Sequence, residues 1–128
     1  MPWNRHVTVW MDHDEARIFH IDPGTFTEET VRAPNHHVHR HPRGAAAEHR
    51  HPADAHQFFA WIVRALEGAE RVLIVGPSTA KLQFIRYAYK HDHTLQPRIV
   101  GIETVDLPTD GQLVAYSKRY FDADEQVT

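Results

Sequence analysis

The sequence predicts an α/β domain in which three antiparallel strands precede alternating helices and strands. Three observations predict it. Apolar residues alternate with period two through the first third of the chain. They recur at helical spacing in the second half. Short uninterrupted apolar runs stand between those helical stretches. A chain of 128 residues has room for one core, so residues 1–128 are expected to form a single domain.

"HVTVWM" places Val7, Val9 and Met11 on one face and His6, Thr8 and Trp10 on the other, which is a strand. "DHDE" is a polar turn and "ARIFHI" the returning strand of a hairpin. "DPG" (Asp22–Gly24) is a second turn, and "TFTEETVRA" a third, more polar strand towards an edge. Pro52 suits the first turn of a helix, where its missing N–H costs nothing. Phe58, Phe59, Ile62, Val63 and Leu66 then follow at helical spacing until Gly68 stops the run. "RVLIV" (Arg71–Val75) is the composition of a strand buried on both faces. "GPST" turns into a second helix with Leu82, Ile85 and Tyr89 on one face, and "RIVGIETV" is expected to be another buried strand. "TDGQ" is a capping box, Thr109 and Gln112 exchanging contacts at the start of a last helix that presents Leu113, Tyr116 and Tyr120. Trp10, Trp61 and Phe84 are expected in the core or between helices. The order is βββ-loop-αβαβα, a mixed sheet flanked by helices, which is the plan of the ribonuclease H-like fold. A Rossmann-like sheet would need parallel strands from the start.

Composition limits the function classes. The chain is 41% apolar and 24% charged with a net charge of −3, so nothing global draws it to nucleic acid. It has no cysteine, which excludes disulfides, thiol catalysis and cysteine-based zinc fingers. No apolar run is long enough to span a membrane. "MPWNRHVTV" does not read as a secretory signal, so the expected compartment is the cytoplasm.

Between the third strand and the first helix lies "NHHVHRHPRGAAAEHRHP" (Asn35–Pro52), with six histidines and three arginines in eighteen residues. Loops of this length are usually functional or disordered. His37, His39 and His41 alternate, and His49 and His51 repeat the spacing after a turn containing Gly44. Two such arms side by side would converge imidazoles suited to Zn2+, Ni2+ or Cu2+. The same stretch also reads as a pH-tunable grip on phosphate. His36, Arg40, Arg43 and Arg50 supply cations, and histidine rings stack on unpaired bases. A mobile loop without a ligand is the plain alternative, and a contact joining two copies of the chain is a further one.

Catalytic readings are weaker. Two-metal hydrolysis needs converging carboxylates. Asp12, Glu103 and Asp106 are candidates, but the fourth strand ends in Val75-Gly76 where another acid is wanted, and "DHDE" is explained by its turn. "GPSTAK" (Gly76–Lys81) lacks the second glycine and the Gly-Lys-Ser/Thr ending of a nucleotide-hydrolysing loop. It remains a helix start whose amides, with Ser78, Thr79 and Lys81, suit an anion, or one capped by Ser78 or Thr79 themselves. No Gly-x-Ser-x-Gly elbow presents a nucleophile. His91 and His93 in "YKHDHT" are explained as residues at a helix end.

"VTVWMDHDEARIFHI", "FFAWIVRALEGAERVLIVGPSTAKLQFI" and "IVGIETVDLPTDGQL" together resemble the middle domain of archaeal and eukaryotic class-1 peptide release factors and Pelota. They resemble still more closely the small bacterial single-domain translational machinery proteins. The likeness runs from His6 to Phe121 and rests on the strand-turn "D…EA" and the "VLIVGP-T-K" turn, neither of them catalytic. It implies the ribonuclease H-like fold and contact with the ribosome or structured RNA. The release factors carry a Gly-Gly-Gln in the loop that is histidine-rich here. The lone glycine of that stretch is Gly44, and Gly111-Gln112 falls at a helix start. The resemblance therefore implies a translation-associated binding domain without peptide release, as in Pelota, which also lacks the tripeptide. The alternative is a metal-dependent hydrolase using the loop histidines with Asp12.

Overall fold

The computed structural model describes residues 6–34, 52–106 and 109–127. Three strands, β1 (His6–Met11), β2 (Glu15–Ile21) and β3 (Phe26–Arg32), form the antiparallel meander that the period-two pattern predicts. After them come α1 (Pro52–Ala65), β4 (Arg71–Gly76), α2 (Ala80–His91), a 3-10 turn (Gln96–Arg98), β5 (Ile99–Thr104) and α3 (Asp110–Val127). β4 pairs parallel with β1, and β5 parallel with β4, giving the sheet order β3-β2-β1-β4-β5. Meander and parallel strands thus share one mixed sheet, as the ribonuclease H-like plan requires.

Each face of the sheet carries its own core. Val7, Val9, Met11, Ile18, Val72 and Ile74 meet Phe58, Phe59 and Ile62 of α1 and Phe84 and Ile85 of α2. Phe19, Ile21, Leu73 and Val75 meet Leu113, Val114 and Phe121 of α3. Because side chains alternate along a strand, β4 feeds both cores and reads as an unbroken apolar run. His6 and Thr8, on the polar face of β1 by sequence, are also buried, under α3. The Thr8 hydroxyl donates to Ser117 Oγ at 2.8 Å, and Ser117 donates to the Leu113 carbonyl at 2.7 Å.

The ends of the elements follow local chemistry. Gly68 adopts φ +85° just past α1, the conformation glycine takes most readily at a helix end. The capping box forms as read, with Gln112 N–H donating to Thr109 Oγ1 at 3.1 Å and Thr109 N–H to Gln112 Oε1 at 3.3 Å.

Three expectations about packing are corrected. β5 is an edge, bordered by β4 alone, so its residues are half-buried rather than enclosed. Trp61 is 38% exposed and Leu82 47% exposed, since each points away from the face its helix lays on the sheet. On α2 the covered stripe is Ala80, Lys81, Phe84, Ile85 and Ala88, and Tyr89 only borders it. On α3, Leu113, Tyr116 and Tyr120 all pack towards the sheet as read, with Val114 and Phe121 completing that core. Among the described residues no helix is long and apolar enough to cross a membrane.

Candidate functional site: a cationic aromatic groove between two helices

The histidine-rich stretch, with His36, His37, His39, Arg40, His41, Arg43, His49, Arg50 and His51, lies outside the described residues. What is described is its approach. Beyond β3, the Ala33 N–H donates to the Asp14 carbonyl at 2.8 Å, tying the strand exit to the β1–β2 turn. The next described residues open α1 at Pro52.

The β1–β2 turn is built by Asp12. Its Oδ1 accepts from Asp14 N–H at 2.8 Å and Glu15 N–H at 2.9 Å, and its own N–H donates to the Glu15 carbonyl. That is an Asx turn, so the carboxylate offered by sequence as a hydrolytic ligand is committed to backbone geometry. Glu103 accepts from the Tyr120 hydroxyl at 3.2 Å. That ring packs where a side chain at Gly101 would stand. Burial, with the nearby Glu103 carboxylate, pushes the Tyr116 and Tyr120 phenols above their ordinary values, so both stay neutral donors. Among the described residues no group of three or more histidines and carboxylates converges on a point that could hold a metal.

The Gly76–Lys81 turn is packed from within. A Cβ at Gly76 would run into the Met11 carbonyl, so glycine is demanded by the neighbouring strand rather than by a ligand. Ser78 Oγ lies 3.3 Å from the Ala80 amide, while the Thr79 side chain makes no cap. Lys81 is 5% exposed and donates to the Ser78 carbonyl at 2.7 Å. Its ammonium serves as a clasp across the turn.

Among the described residues a concave feature of the surface lies elsewhere, between α1 and α2. It has a volume of about 340 Å³ and is lined by His56 and Phe59 from α1 and by Arg86, Tyr87, Lys90 and His91 from α2. An aromatic series runs from the core to this groove. Phe59 meets Phe84 edge-on at 5.8 Å and Tyr87 at 5.7 Å, and His91 stacks on Tyr87 at 4.3 Å with planes 30° apart. His56 lies 5.5 Å from Tyr87 and 6.4 Å from His91, ring centre to ring centre. Arg86 and Lys90 are neighbours one turn apart on α2, and both are exposed.

The sequence alone presents His91 as a helix-end residue and assigns the groove no role. A signal is nonetheless present. Residues 83, 86, 87, 90 and 91 repeat at helical spacing beside the apolar stripe of residues 80, 84, 85 and 88. The partner histidine on α1 needs the tertiary fold, because residues 56 and 91 are far apart in sequence.

No family model matches the sequence, and no curated protein matches it. Solved structures do match. The Pelota protein of Thermoplasma acidophilum aligns with a TM-score of 0.60 and 23% identity, over 88% of this chain and 31% of that one. Archaeoglobus fulgidus Pelota aligns at 0.58 and 16%, over 91% of this chain and 32% of that one. The chain thus spans about a third of the length of the structures it matches. Identity at this level speaks for the fold, and it agrees with the strand order and mixed pairing above: the chain has the α/β fold of a portion of Pelota, the ribonuclease H-like type that its sequence predicts.

Proposed function

We propose that the chain is a translation-associated binding domain that contacts the ribosome or structured RNA and carries out no chemistry of its own. The observation that supports this reading is the fold shared with Pelota over 88% of the chain, combined with a sequence that puts cations where release factors carry Gly-Gly-Gln. From residue 35 to residue 52 three arginines stand against Glu48, and six histidines add charge as the pH falls. Arg40, Arg43, Arg50 and His36 are the proposed phosphate contacts. His37, His39, His41, His49 and His51 are the proposed imidazole set for Zn2+, to be tested by metal analysis of tag-free protein. Stoichiometric zinc after dialysis supports the set, and loss on mild dialysis removes it.

Ribosome co-sedimentation at two salt concentrations, with and without chelator, tests the function. Phosphate contacts weaken linearly on a log–log scale with salt. Binding that falls steeply with salt and survives chelation is the expected result. Absent or salt-insensitive binding overturns it. The hydrolase alternative gains no support from Asp12, whose Oδ1 is occupied by the turn.

A further inference from the structure

We infer that the groove between α1 and α2 is a single-nucleotide site for unpaired RNA, with His91 as the stacking ring and Arg86 and Lys90 as the phosphate contacts. The choice of RNA as ligand rests on the translation-associated reading above; the site itself rests on its geometry. Each part of a nucleotide has its counterpart. The Phe59–Tyr87–His91 series ends at an exposed imidazole, so a base laid on His91 extends a stack already anchored in the core. Anchoring matters, because a ring held by its neighbours loses little freedom when a base arrives. Arg86 and Lys90 border the same groove, and among the described residues no carboxylate or carbonyl engages either one. Arg17, Arg71, Arg98 and Lys81, by contrast, are tied to Asp110, Asp124, the Ala69 carbonyl and the Ser78 carbonyl. The nearest acid in sequence, Asp92, is turned to its own loop, accepting from Thr94 N–H and Oγ1. Those contacts hold its carboxyl below the usual range.

Size limits the ligand. A groove of about 340 Å³ is near the lower end of small-ligand clefts, ~300–1,000 Å³. It takes one nucleotide of a strand. Stacking accepts any base, since every base offers a π face. The site should therefore grip an unpaired residue with little sequence preference.

The test uses the full chain and a fluorescently labelled ten-nucleotide single-stranded RNA, read by anisotropy across a salt series. Arg86→Gln/Lys90→Gln should weaken binding about tenfold. It should also lower the magnitude of the slope of log K against log salt by roughly 1.4, about 0.7 for each phosphate that the variant no longer neutralises on a single strand. His91→Ala should weaken binding about tenfold and leave that slope unchanged. Lys118→Gln/Arg119→Gln, on α3, should change neither. All these side chains are at least partly exposed, and circular dichroism confirms that the variants fold. Wild-type binding that ignores both groove variants, or no oligonucleotide binding at all, overturns the site. So does equal competition by poly-glutamate, which would show a general polyanion surface. Ribosome co-sedimentation of the same variants separates the two readings. Ribosome binding retained beside groove-independent oligonucleotide binding sinks the groove alone. Groove-dependent oligonucleotide binding without ribosome binding sinks the translation reading and leaves the site standing.

Discussion

His6 shows how much one buried side chain can carry. Its ring is 1% exposed, stacks on Phe121 at 4.6 Å, and places Nε2 2.9 Å from Glu125 Oε2. Arg71 reaches both Asp124 and Glu125 beside it, so β1, β4 and the last turns of α3 meet at this point. Burial pushes the His6 pKa below 6.5. Glu125 and Glu70 oppose that shift and Arg71 reinforces it. A lowered pKa means that the folded state binds this proton less readily than the unfolded chain does. Stability is therefore full above the unfolded value and is lost as pH falls through the folded one. Histidines that titrate alike in both states cancel. The thermal midpoint should decline as the pH falls below about 6.5, and His6→Phe, which keeps a ring against Phe121, should flatten that decline. An unchanged slope in the variant would assign the pH dependence to other groups.

The elements show where sequence is informative and where it stops. The capping box of α3 was readable because its two partners are three residues apart and their chemistry is local. The polarity of β3 foretold an edge for the same reason: six of its seven residues are exposed, and most of them are polar. β5 misled because "RIVGIETV" is rich in β-branched apolar residues, as β4 is, yet has a neighbour on one side alone. Strand order is a property of pairing, which composition does not encode. Trp61 and Leu82 misled because a large apolar side chain does not declare whether it is inside. The Thr8–Ser117 contact was equally illegible, as it joins β1 to α3 across 109 positions. It yields a definite expectation. Ser117→Ala leaves the buried Thr8 hydroxyl without its acceptor and should cost ~1–3 kcal/mol. Adding Thr8→Val removes the orphaned group, so the double variant should recover most of the loss. Urea denaturation of the four species closes the cycle. Additive losses would mean that the two hydroxyls act independently.

At the scale of the whole molecule, two cores share one sheet, and the question is whether they melt together. β1, β2 and β4 each give residues to both faces: Val9 and Thr8, Ile18 and Phe19, Ile74 and Leu73. Stripping α3 from its face would uncover Phe19, Ile21, Leu73 and Val75 on strands that also hold up α1 and α2. The apolar area then exposed penalises any state in which one face survives alone. Phe121, fully buried beneath α3, is the lever. Phe121→Ala should cost ~3–5 kcal/mol, as emptied aromatic sites do. The loss should appear equally on the opposite face, although Phe121 does not touch it. Two tryptophans report separately, since Trp10 packs against the α3 core and Trp61 lies on α1. With Trp3 and one of these two replaced by Phe in turn, denaturant unfolding followed by fluorescence should give coincident midpoints. Both should move together on Phe121→Ala. Separate midpoints, with Trp61 holding while Trp10 melts, would show α3 to be a detachable layer. The groove between α1 and α2 would then keep its shape independently of the face behind it.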